Sequence, residues 1–70
     1  MSIKKDSFDA AMECWGDRGS HGMYEYVREF QFHFKSCIKE KNILPVDGHV
    51  HSWRKAQEDA NNYIIKNNLL

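Results

Sequence analysis

The stretch MYEYVREFQFHFKSCIKEK, Met23–Lys41, decides how this chain folds. It holds five of the nine aromatic residues, Tyr24, Tyr26, Phe30, Phe32 and Phe34, beside Val27, Cys37 and Ile38. Two periodicities compete within it. At period two, Tyr24, Tyr26, Phe30, Phe32, Phe34 and Ile38 alternate with Glu25, Glu29, Gln31, His33 and Lys35, broken by Arg28 and Ser36, which is the pattern of a half-buried strand. At a helical period, Met23, Val27, Phe30, Phe34, Cys37 and Ile38 form one stripe, with Glu29, Lys35, Lys39 and Lys41 away from it. Length favours the helix. Strands usually run about five or six residues, and no Gly, Pro, Asn or Asp falls inside the stretch to turn a hairpin. Lys39 and Lys41 also sit well against the negative end of a helix dipole. The expected fold is all-α, a single small domain over residues 1–70 with three helices and a long central one. An α+β form with residues 29–35 extended is the alternative.

A chain of 70 residues buries only about 60% of the surface it exposes when unfolded. Dense aromatic packing, a staple or a partner has to supply what the small core lacks. Ten basic and ten acidic residues cancel; residues 1–30 carry four and six of them, residues 31–70 six and four. A nucleic-acid binder concentrates its basic residues on one face, so this balance counts against that class. Cys14 and Cys37 are too few for a disulfide framework, and no secretory apolar segment follows Met1. No apolar run approaches the ~18 residues of a membrane span. The expectation is a cytoplasmic protein with reduced thiols and no cofactor.

Outward from the centre, Asp6 or Ser7 can cap a first helix, in which Phe8, Ala11, Met12 and Trp15 share a face at i, i+3, i+4 and i+7. Gly16 follows where a C-cap glycine belongs. The loop to the central helix has glycine at every third position, Gly16, Gly19 and Gly22, and Ser20 can cap the helix that follows it. After Lys41, the segment from Asn42 to Ser52 carries Pro45 and the turn pair Asp47-Gly48. Its Ile43, Leu44, Val46 and Val50 suit an ordered connection over the core. Ser52, or Asp47 before it, can start a third helix. There Trp53, Ala56, Ala60, Tyr63 and Ile64 line one face and Arg54, Lys55, Glu58 and Asp59 the other, with Asn67-Asn68 as the stop.

Candidate chemistry is thin. His33 and Cys37, four apart on one side of a helix, could share a zinc ion with His49 and His51. No C-x-x-C knuckle accompanies them, and a thiol on an apolar stripe behaves as a small hydrophobe. The G-x-x-G spacing of the loop is similar to the backbone clamp of KH domains, but the regularly spaced isoleucines of that family are absent and Asp17 would repel phosphate. A P-loop lacks its closing Lys-Ser/Thr. The turns are too long for a helix-turn-helix, which uses about three or four residues. Asp9/Glu13 and Glu25/Glu29 are like-charge pairs at i, i+4, most simply a solvated face. A cysteine–histidine nucleophile would need a pocket that so short a chain can hardly wall.

The aromatic surplus is the remaining clue. At 100° per residue, Phe32 points away from the stripe of Phe30 and Phe34, so one side of a helix cannot bury all five rings. Either two neighbours cover the helix on both sides, or the rings off the stripe form an exposed patch of the kind that marks partner sites. The function expected is non-catalytic binding of a protein partner, or of a second copy, through Tyr24, Tyr26, Phe32 and Trp53. Accessory subunits and bacteriophage inhibitors of host proteins include small neutral chains of this kind, an analogy carried by no particular residue. A nucleic-acid accessory protein, the alternative, would use Arg18, Lys35, Lys39, Lys41, Arg54 and Lys55 with stacked rings.

Overall fold

The computed structural model describes residues 3–46 and 53–70. Among them the chain forms three helices, α1 (Ile3–Trp15), α2 (Met23–Glu40) and α3 (Arg54–Lys66), and no strand. Both outer helices pack on α2 and meet each other only lightly.

The helical period prevails in α2 because its rings can then stack along the axis. Phe30 and Phe34 lie 5.9 Å apart and nearly parallel; in a strand, residues four apart are separated by ~13 Å. The α+β alternative for residues 29–35 is therefore not formed. The buried stripe is Tyr26, Val27, Phe30, His33, Phe34 and Cys37, rotated slightly from the expected one, so that Met23 and Ile38 are half-buried at its margins. Ser20 does not cap α2 with its side chain. Gly22 stands at the N-cap with φ 79°, and its carbonyl accepts the Tyr26 N–H at 3.0 Å. Glycine is needed there twice over: the φ is left-handed, and a Cβ would lie 3.1 Å from the Trp53 ring. At the other end Lys41 takes a left-handed φ of 55°, and the Asn42 N–H returns to the Cys37 carbonyl at 3.1 Å, a Schellman-type closure.

Helix α1 starts at Ile3, ahead of the expected caps Asp6 and Ser7. Ser7 is buried and accepts a hydrogen bond from Gln31 Nε2 of α2 at 3.2 Å. The buried face is Ser7, Ala10, Ala11 and Trp15. Small residues let α1 lie close to α2, and the face turns by about one residue, which sends Phe8 outward instead of into the core. In α3, Ala56, Gln57, Ala60 and Ile64 are buried, with Trp53 and Tyr63 packed at the edge of the core. Gln57 Nε2 donates to Glu29 Oε2 at 3.2 Å, tying α3 to α2. The helix ends at Asn67-Asn68 as the sequence suggests, with Asn68 at φ 57°. Ile43 and Leu44 pack against the core, while the possible starts of α3 at Asp47 and Ser52 lie outside the described residues.

Candidate functional site

Six of the nine rings form one continuous cluster. Trp15 meets Tyr26 at 4.9 Å and Trp53 at 6.3 Å; Tyr26 continues to Phe30 at 6.1 Å; and Phe30 and Phe34 both meet Tyr63. Trp15 Nε1 donates to the Gly19 carbonyl at 2.6 Å, which ties the glycine loop to the cluster. The Arg18 guanidinium lies 5.6 Å from the Trp15 ring centre and 5.9 Å from that of Tyr26. The three rings outside the cluster, Phe8, Tyr24 and Phe32, are the exposed ones, at 48%, 73% and 72%.

Of the four residues expected to bind a partner, the structure separates two from the others. Tyr24 and Phe32 stand on the solvent face of α2. Tyr26 does not: it is fully buried, because its hydroxyl reaches across to Asp59 Oδ2 at 2.5 Å and its ring fills the centre of the cluster. Asp59, expected on the solvent side of α3, is drawn inward by the same bond and also receives Lys55 Nζ at 3.3 Å. Trp53 is half-buried between the cluster and a shallow groove lined by Glu25, Arg28, Glu29 and Phe32.

Burial first, then the hydrogen bond to Asp59 and the charge of that carboxylate, push the Tyr26 phenol far above the ordinary value of 10.0. A proton held more tightly when folded gives stability that is complete below the unfolded value and declines as pH rises above it. The Tyr63 phenol, raised chiefly by burial and then by Glu13, acts in the same direction. The Tyr26→Phe variant is therefore expected to lose less stability per pH unit above about pH 10, by roughly 1.4 kcal/mol per unit for one proton. Urea midpoints measured from about pH 8 to 11 check this; identical slopes in variant and wild type would contradict it.

Beneath α2 a second polar group is assembled. Asn61 of α3 donates through Nδ2 to the Leu44 carbonyl at 3.0 Å, which orients its amide. Asn61 Oδ1 consequently accepts from His33 Nε2 at 2.8 Å and from the Cys37 thiol at 3.5 Å. The Leu44 N–H closes the ring of contacts onto Cys37 Sγ at 3.5 Å. This brings His33 and Cys37 together, as a shared ion would require, but around an amide. His49 and His51 lie outside the described residues, and among the described residues no three His, Cys, Asp or Glu side chains are placed to hold a metal. Asn61 had no signal in the sequence beyond its position on the α3 face next to Ala60.

The cations of the nucleic-acid alternative fall into separate places. Arg18 lies over the aromatic cluster, Lys55 pairs with Asp59, and exposed Arg54 opens α3. Lys35 and Lys39 lie on the outer side of α2, and Lys41 at its end. Cys14 and Cys37 are free thiols; burial, then Asp59 and Glu13, raises the Cys14 pKa and disfavours its thiolate.

What remains is the outer face of α2. Tyr24, Arg28 and Phe32 follow one another at i, i+4 and i+8, and Lys35 and Lys39 continue the row, about 22 Å in all at ~1.5 Å per residue. A valley of about 240 Å³ runs beside it between α1 and α2, lined by Phe8, Met12, Met23, Tyr24, Val27, Arg28 and Gln31. Phe8, Met12 and Arg28 were not expected here: the first two fitted the core face of α1, and Arg28 seemed an interruption. Its spacing of four from both Tyr24 and Phe32 was the signal. No helix among the described residues is long and apolar enough to cross a membrane. No protein-family model, curated protein or solved structure matches the chain.

Proposed function

We propose that the chain is a small non-catalytic module that binds another protein through the outer face of α2. The observation that carries this reading is the division of the rings: six satisfy the core, and Tyr24 and Phe32 stand more than 70% exposed on one helical row. A 70-residue domain short of core gains nothing in stability from two solvated rings, whereas Tyr, Phe and Arg on one surface are the anchors of protein interfaces. The module acts by covering a surface of its partner, as an inhibitor or accessory subunit does. Free, largely sheltered thiols suit a reducing, cytoplasmic setting. Arg18, Arg54 and Lys55 lie away from the α2 row, and Glu25 and Glu29 stand beside Arg28, which weighs against a nucleic-acid footprint.

The test pairs binding with folding. Wild type and the Tyr24→Ala/Phe32→Ala double variant are immobilised side by side and exposed to a lysate of the organism that encodes the chain. The expected result is a protein retained by wild type and lost, at least tenfold, by the variant, with melting curves that coincide within ~0.5 kcal/mol. Equal retention by the two, or an unfolded variant, would contradict the proposal.

A further inference from the structure

The charges on the molecule are sorted by face. The α1 carboxylates Asp6 and Asp9 line a groove with Tyr63 and Leu69, and Glu13 lines another with Asp59 and Lys66, both on the α3 side. The valley on the opposite side of α1 has an apolar lining of Phe8, Met12, Met23, Tyr24 and Val27, and among the described residues the only charged side chain in it is Arg28. Beyond Arg28 the outer face of α2 adds Lys35 and Lys39 on the side nearer the valley, while Glu25 and Glu29, the latter held by Gln57, line the groove on its far edge beside Trp53. The side of α2 that borders the valley is thus aromatic, and its charges, Arg28, Lys35 and Lys39, are positive.

We infer that this valley seats an acidic amphipathic helix from a partner protein, and this rests on the protein-binding function proposed for the face. The trough between two packed helices is the shape that accepts the side-chain ridge of a third, and a helix laid in a groove is read through apolar anchors at i, i+3, i+4 and i+7. The anchors enter between Phe8 and Tyr24, over Met12 and Val27. Carboxylates along the flank of the incoming helix meet Arg28, Lys35 and Lys39. Arg28, between the two exposed rings, can form the bidentate carboxylate contact that a lysine cannot. The thioethers of Met12 and Met23 re-pack around apolar side chains, which favours a peptide's anchors as the occupant.

The test uses amide NMR shifts of the ¹⁵N-labelled chain. Three probes are titrated: an amphipathic peptide of about 21 residues with leucine at a and d positions and glutamate elsewhere, the same peptide with lysine for glutamate, and a deoxythymidine oligomer. The glutamate peptide is expected to shift Phe8, Tyr24, Arg28, Phe32 and Lys35, to bind about tenfold more tightly than the lysine peptide, and to weaken with salt. The Arg28→Glu/Lys35→Glu variant, folded by its own spectrum, is expected to reverse the preference. Equal binding of the two peptides at these residues overturns the charge-selected partner and leaves a protein-binding face. Shifts from the oligomer alone, or from no probe, overturn both the inference and the function beneath it. Concentration-dependent shifts of the same residues without any probe assign the valley to a second copy and likewise overturn the inference.

Discussion

Replacing Tyr26 with alanine is expected to cost about 3–5 kcal/mol, most of what a domain of this size possesses at roughly 0.05–0.15 kcal/mol per residue. Its ring is fully buried and touches Trp15, Phe30 and Trp53, so truncation opens a cavity where all three helices meet. The Asp59 carboxylate also loses the hydroxyl its Oδ2 accepts from and keeps only Lys55 at Oδ1, which adds part of the penalty of an unpaired half-buried oxygen. Calorimetry or thermal circular dichroism should show the transition lowered by roughly 20 °C or lost. Phe32→Ala is the control: a ring of similar size six positions along the same helix, 72% exposed, whose removal is expected to change stability by no more than ~0.5 kcal/mol. A Tyr26→Ala protein that melts like wild type would mean that the cluster is not centred on this residue.

The second large effect is expected at Asn61. In Asn61→Leu, His33 Nε2 and the Leu44 carbonyl lose their partner at once, and the Cys37 thiol loses its acceptor. Each buried group left unpaired costs about 1–3 kcal/mol, so roughly 2–4 kcal/mol is expected despite the larger apolar side chain. The loss should be accompanied by faster amide exchange at Leu44, whose N–H is held by Cys37 Sγ. Urea denaturation and hydrogen exchange measure both. Asn61→Leu as stable as wild type would show that the amide is a surface group and that the segment after α2 is anchored by Ile43 and Leu44 alone.

Both residues mark where the sequence stopped being legible. The three helices, the greater length of the central one and the stop at Asn67-Asn68 follow from spacing and breakers, which are local. Burial of Tyr26 follows from Asp59, 33 positions away, and burial of His33 from Asn61, 28 positions away; neither pairing has a local signature. Phe8 was misplaced because the i, i+3, i+4, i+7 template favours large residues, whereas α1 packs on Ser7, Ala10 and Ala11. The caps differ for a similar reason: Ser and Asp near a boundary look like caps, but α1 begins at Ile3, ahead of Asp6 and Ser7, and α2, which starts at Met23 as its stretch suggests, is entered through a left-handed Gly22 that must also clear Trp53. The binding face was half legible. Geometry alone turned Phe32 outward and left Tyr24 off the stripe, while Tyr26, equally off the stripe, required the tertiary structure to remove it.

The most direct test of the outer face of α2 as the binding surface is photo-crosslinking in the cell that encodes the chain, with a benzophenone side chain placed at position 32 or, as control, at position 65. Phe32 and Ile65 are similarly exposed, at 72% and 62%, on different helices. A discrete protein adduct from position 32 and none from position 65 is the result expected. Adducts from position 65 alone, or no adduct from position 32, would contradict the assignment of this face.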